Sequence, residues 1–181
     1  MPKRRVRRHE VIQPLDQSYR LIPLTQGQNA IVDAEDFDRL NQWNWHAQWS
    51  NCSKTFYAGR NSYPDGPKGK CVYVRMHAEV LGIKSEIDHR DGNGFNNRKE
   101  NLRPCTRKQN TWNGTKKSTN RSGFKGVSKD RRSPNGRWRA RIMVSGVEIQ
   151  LGLFDTPEEA AHAYNDAARR HFGDFAQVNS L

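Results

Sequence analysis

Apolar positions recur along the chain with two different periods, and the switches between them mark out its elements. Residues 19–24 (YRLIPL) and 29–33 (NAIVD) are short apolar runs separated by TQGQ, the pattern of two strands joined by a turn. Residues 34–45 (AEDFDRLNQWNW) change to helical spacing, with Ala34, Phe37, Leu40 and either Trp43 or Trp45 on one face. Residues 54–60 (KTFYAGR) and 70–82 (KCVYVRMHAEVLG) are strand-like, and the loop NSYPDGPKG between them has the proline and glycines of an exposed turn. Trp43, Trp45 and Trp49 are expected to cap a small mixed core.

A different pattern occupies residues 86–110 (EIDHRDGNGFNNRKENLRPCTRKQN). Residues 86–89 form a strand, and DGNG is a turn in which Gly92 or Gly94 takes positive φ. LRPC returns as a second strand that Pro104 confines to a sheet edge. Thr106, with Gln109 three residues on, then opens a helix that carries Asn110. Residues 115–122 (TKKSTNRS) are polar, basic and linker-like. Beyond them FKGVSKD, GRWRARIMV and VEIQLGLF alternate as three strands joined at SPNG and SG. A helix follows, opened by Thr156, Pro157 and Glu159, with Ala160, Ala163, Tyr164, Ala167 and Ala168 on one side and Gly173 as its stop. The predicted organisation is α+β: a basic flexible arm 1–18, a first domain 19–114, a linker 115–122, and a second domain 123–181 with a three-stranded antiparallel sheet packed on one helix.

Composition narrows the function. At 181 residues the chain holds one ordinary domain or two small ones with thin cores. Its formal net charge of +12 points to a polyanionic partner, nucleic acid first. With 34% hydrophobic residues and no run near the roughly 18 needed to span a bilayer, a membrane protein is excluded. The start, MPKRRVRRHEVIQPLD, lacks the apolar segment of a secretory signal, so the protein is expected to stay where it is made. Cys52, Cys71 and Cys105 are too widely spaced for a zinc knuckle or redox dithiol; free thiols and no zinc are expected.

Chemistry is expected at residues 86–110, where Asp88 and His89 are followed by Asn101 and Asn110 at 12 and 21 residues beyond His89. These residues, with the flanking DGN and NLR, resemble the ββα-metal (His-Me finger) motif of HNH endonucleases in the subgroup that reads DH, then N, then N. IPLTQGQNAIVDAEDFDRL, YAGR and MHAEVLG resemble the segment that precedes the motif in free-standing phage and intron-encoded homing enzymes. The resemblance implies a site-directed DNA endonuclease in the cytoplasm of a bacterial or phage-infected cell. Hydrolysing a phosphodiester needs a base, a cation and fixed geometry. His89 is the candidate general base, while Asp88 and Asn110 offer oxygen ligands suited to one divalent metal, Mg²⁺ or Mn²⁺. The resemblance gives Asn101 the task of pinning the loop that holds His89. Asp91 is a candidate outer or alternative ligand, and Asn96 and Asn97 are turn-formers. His77 meets a phosphate, joins the site, or packs as a half-buried ring. Arg75, Arg98 and Arg103 are phosphate clamps or solvated charges.

Residues 116–141 hold ten Lys or Arg and one acid, Asp130. Alternation sends Arg137, Arg139 and Arg141 to one face of the middle strand and Trp138, Ala140, Ile142 and Val144 to the other. An arginine face backed by a helix suits a DNA groove. The order of these segments resembles the APETALA/ethylene-response-factor DNA-binding domain, whose sheet enters the major groove, although Gln150 stands where an aromatic commonly precedes LG. Lys125, Lys129, Arg137, Arg139, Arg141 and Gln150 are the candidate contacts to double-stranded DNA. One motif per chain serves equally a monomer that nicks and a homodimer that cuts both strands. A non-catalytic DNA-binding regulator and an RNA-binding protein are the competing readings.

Overall fold

The computed structural model describes residues 9–114, 120–133 and 136–181. The expected arm falls outside the described residues over 1–8, as do 115–119 of the expected linker and two positions of the SPNG turn. The chain divides into two compact units, Met1–Thr106 and Arg107–Leu181. Both are α+β, with four small antiparallel sheets and four helices among the described residues.

The first unit begins with β1 (Tyr19–Pro23) and β2 (Asn29–Asp33), paired antiparallel with Leu21 opposite Ile31. Alternation places Ile22, Ala30 and Val32 in the core. Residues 9–18 are tied down instead of trailing: the Gln13 side chain donates to Leu21 O and accepts from Leu21 N, both at 2.9 Å. Helix α1 (Ala34–Asn41) buries Leu40, and after it the Trp45 indole donates to Leu40 O at 2.8 Å. Trp45 is therefore the core tryptophan; Trp43 and Trp49 are 41% and 45% exposed, so they do not cap the core as expected.

Strands β3 (His46–Ser50), β4 (Thr55–Ser62) and β5 (Val72–Arg75) form a sheet in that order. The stretch 70–82, expected as one strand, turns at Met76 into helix α2 (Met76–Leu81). Met76, His77 and Val80 are buried at helical spacing, and Gly82 ends the helix at φ 66°, a conformation that favours glycine. Arg60 on β4 pairs with Glu79 of α2 at 2.9 Å and fixes the helix to the sheet. Last come β6 (Ile87–His89) and β7 (Leu102–Pro104), a two-stranded ribbon with Asp88 opposite Arg103 and His89 opposite Leu102.

In the second unit, helix α3 (Arg107–Trp112) stacks Trp112 on Phe172 with ring centroids 4.8 Å apart. The helix that carries Asn110 is thus grouped with the second unit. Strands β8 (Val127–Lys129), β9 (Trp138–Val144) and β10 (Val147–Phe154) follow, with β9 central, and then helix α4 (Pro157–Phe172) and a short 3-10 turn (Gly173–Phe175). The capping box forms: Thr156 Oγ1 accepts from Glu159 N, and Glu159 Oε2 accepts from Thr156 N. Small residues let α4 approach the sheet, where Ala160, Ala161 and Ala168 are fully buried. At Gly126, with φ 78°, a Cβ would lie 2.0 Å from the Tyr164 ring.

Candidate active site and nucleic-acid interface

Asp88 and His89 are neighbours on β6, so their side chains leave opposite faces of the ribbon. Both are 4% exposed. The Asp88 carboxylate meets its cross-strand neighbour: Arg103 Nε and Nη2 approach Oδ2 at 2.7 and 2.6 Å. Arg103, expected as a phosphate clamp or solvated charge, is itself buried at 7% exposure, because the register sets it directly opposite an acid. This charge-assisted contact orients the carboxylate.

His89 lies among rings. The His77 centroid is 5.1 Å from it at 74°, and the Tyr57 centroid 5.6 Å at 52°. Burial holds the His89 pKa below its ordinary value, against the Asn97 side chain and the Asp91 and Asp88 carboxylates, which favour the charged form. A neutral imidazole at neutral pH can accept a proton, as a base must. His77 is pushed down to about 3, by burial first and then by His89 and Arg75. At 5% exposure it is a packed ring beside His89. Arg75 is exposed, with its guanidinium 5.6 Å from the Tyr57 centroid.

The loop between β6 and β7 is held from several sides. Asn101 Oδ1 accepts from Asp91 N at 3.1 Å, and its Nδ2 donates to Asp91 Oδ1 and Asn96 O at 2.9 and 2.8 Å. Asp91 also accepts from Asn93 N and from Asn96 Nδ2, so its carboxylate serves the loop. Asn97 is 1% exposed and donates from Nδ2 to Phe95 O, deeper than a turn-former needs. The backbone of residues 95–97 adds to β2, with Ile31 N donating to Phe95 O and Asn97 N to Ile31 O. Arg98 bonds Asp33 at 3.0 Å and Glu100 at 2.9 Å, so it staples the loop to the end of β2. Of the two turn glycines, Gly92 takes φ 72°; Gly94 has the other task of close approach, since a Cβ there would lie 2.2 Å from Phe56 O and 2.6 Å from the Tyr57 ring.

Tyr57 is not singled out by sequence, and Asn97 and Gly94 are read there only as turn residues. Alternation in KTFYAGR separates Phe56 from Tyr57 but does not say which of them meets the histidines. For a metal, Asp88 supplies a hard carboxylate oxygen, the donor type that Mg²⁺ and Mn²⁺ take. Asn110 is half-buried on α3. Among the described residues no three His, Cys, Asp or Glu side chains cluster as a metal site. A hard cation that keeps several waters and takes phosphate oxygens needs fewer protein ligands than that.

On the second unit, Ala140 and Ile142 are buried while Arg141 is exposed, as the alternation requires. Each arginine of the row has an acidic partner: Arg137 with Asp155 at 3.1 Å, Arg139 with Asp130 at 2.5 Å, and Arg141 with Glu148 at 2.8 Å. Gln150 stands opposite Arg141 and is exposed, as is Lys129. Lys125 departs from expectation: its ammonium donates to Trp112 O and Gly114 O at the end of α3, and burial pushes its pKa down to about 8. In this arrangement it serves a helix C-terminus.

No helix among the described residues is long and apolar enough to cross a membrane. No protein-family profile matches the chain. An uncharacterized HNH endonuclease of Acanthamoeba polyphaga mimivirus is 29% identical over 141 residues, 74% of this chain and 72% of the viral protein. An ethylene-responsive transcription factor of Arabidopsis thaliana is 46% identical over 68 residues, 36% of this chain and 25% of the plant protein. Homology to an HNH endonuclease and to plant transcription factors of this class thus meets in one chain. Protein 3.8 of Escherichia phage T7 is 36% identical over 93 residues, 50% of this chain and 73% of the phage protein, and the chain belongs to the same family as that protein.

Proposed function

We propose that the chain is a metal-dependent, site-directed DNA endonuclease of homing type, with catalysis in the first unit and duplex recognition in the second. The observation that carries this reading is the buried Asp88–His89 pair on β6 above a loop pinned by Asn101. His89, kept neutral by burial, takes a proton from the attacking water. Asn101 keeps the loop, and with it the end of β6, in place. Asp88, oriented by Arg103, and Asn110, assigned from motif spacing, would hold one Mg²⁺ or Mn²⁺. The bound ion would supply a Lewis acid for the developing phosphoryl charge. The exposed Arg75 beside Tyr57, and Lys129, Arg137, Arg139, Arg141 and Gln150 on the basic sheet, would meet DNA.

The test is incubation of supercoiled plasmid and of phage and host genomic DNA with the protein, with and without Mg²⁺ or Mn²⁺. Metal-dependent nicks or breaks at defined positions are expected; intact DNA under every condition would overturn the reading. Mapping ends on both strands distinguishes a nicking monomer from a dimer that cuts both strands. A non-catalytic DNA-binding regulator is the second reading, favoured by the guanidinium that already neutralises Asp88. It requires tight duplex binding with no dependence on divalent metal at constant ionic strength.

A further inference from the structure

The function proposed above uses His89 but leaves the two rings around it without a task. His77, Tyr57 and His89 form a closed three-ring cluster. The His77–His89 centroids are 5.1 Å apart at 74°, Tyr57–His77 5.8 Å at 82°, and Tyr57–His89 5.6 Å at 52°. Two of the three are edge-to-face, the arrangement that aromatic quadrupoles favour. Each ring is held from a different element: His77 from α2, Tyr57 from β4, His89 from β6. Tyr57 is further fixed by the Gly94 backbone, which passes so close that a Cβ would overlap the ring.

His77 Nδ1 is buried with no hydrogen-bond partner among the described residues. Leaving a polar atom so costs stability, and the contacts found for His77 are with rings. What it supplies is therefore shape at a fixed place. Its low proton affinity has the same sense: a neutral neighbour does not oppose the charge that His89 acquires when it takes a proton.

We infer that Tyr57 and His77 are positioning residues, two jaws that fix the orientation of the His89 imidazole. The inference rests on the reading of His89 as a general base. A base displaced by about 1 Å can lose up to roughly a hundredfold in rate, so the jaws act on kcat and leave DNA binding alone. Because shape is what matters, a phenyl ring at position 77 should serve, and a methyl group should not.

The experiment compares wild type with His77→Phe, His77→Ala and Tyr57→Leu as full chains, by two independent readouts. The first is NMR cross-relaxation between ring protons of His89 and its neighbours, which needs no activity. His77→Phe is expected to keep the His89–Tyr57 cross-peaks, and His77→Ala to lose or weaken them. The second is metal-dependent plasmid cleavage. His77→Phe should retain kcat within about twofold, whereas His77→Ala and Tyr57→Leu should lower kcat about tenfold or more at unchanged KM. Intact cross-peaks in His77→Ala, or wild-type kcat in Tyr57→Leu, would overturn the clamp. So would a His77→Phe as slow as His77→Ala with its cross-peaks intact, since that outcome assigns the nitrogen a chemical task. If wild type cuts no DNA, the nuclease reading falls while the cross-peaks still decide the clamp.

Discussion

The two units place their polar groups in opposite ways. The first buries them: Asp88, His89, Asn97, Asn101, Arg103 and His77 are each less than a tenth exposed, and each is enclosed by partners or rings. The second displays arginines of its basic row, with Arg137 and Arg141 on the sheet surface in ion pairs that water reaches, while Asp130 and Asn165 are buried. Buried polar groups keep one geometry because a displaced group loses both solvent and partner. Exposed pairs are worth about 0–1 kcal/mol and exchange partners readily. Precision resides in one unit and adaptability in the other, which is the division that the proposed function requires.

The largest test of that contrast is His89→Ala. Loss of a general base should lower cleavage by about 10²–10⁴-fold, while gel-shift affinity for the same DNA stays within a few fold; equal loss of both would show that the units do not divide the work. Next is acid. The folded pKa of His77 is about 3 against 6.5 in the unfolded chain, so below pH 6.5 the unfolded state binds the additional proton. Stability is therefore lost as pH falls from about 6.5 towards 3, by a few kcal/mol. Urea midpoints measured at intervals between pH 7 and 4 should show the slope, and His77→Phe should flatten it.

Gly94→Ala should cost about 1–3 kcal/mol, the usual range for overpacking, because the new methyl meets the Phe56 carbonyl and the Tyr57 ring. Thermal melting reads the loss, and an unchanged Tm would show that the loop is less tightly seated than its contacts indicate. Smallest is Arg141→Ala on the exposed sheet. It should weaken DNA binding by about 1 kcal/mol, reduce the salt slope by about one, and leave kcat at saturating DNA untouched. A change in kcat there would break the separation of the two units.

Local chemistry made much of this legible. The strand–turn–strand of residues 86–105 follows from two apolar leads around DGN, and the start of α4 from Thr156, Pro157 and Glu159. The arginine row of β9 follows from alternation alone. Tertiary partners hid the rest. VYVRMHAEVLG contains both a strand and a helix, and only the burial of Met76 and Val80 against the rest of the unit decides where one becomes the other. Arg98, Arg103 and Lys125 read as free cations because their partners Asp33, Asp88 and the end of α3 lie elsewhere in the chain or across a ribbon. Trp43 and Trp45 are two residues apart, and the indole bond to Leu40 O settles which goes inside.

The Gln13 amide has a consequence of its own. It satisfies both backbone groups of Leu21 on the side of β1 away from β2, while Phe95 and Asn97 satisfy those of Ile31 on the far side of β2. At this level of the ribbon neither margin is left open to a passing strand from another molecule. Unprotected margins template aggregation, and here a single glutamine side chain and one turn of the loop after β6 cover both margins.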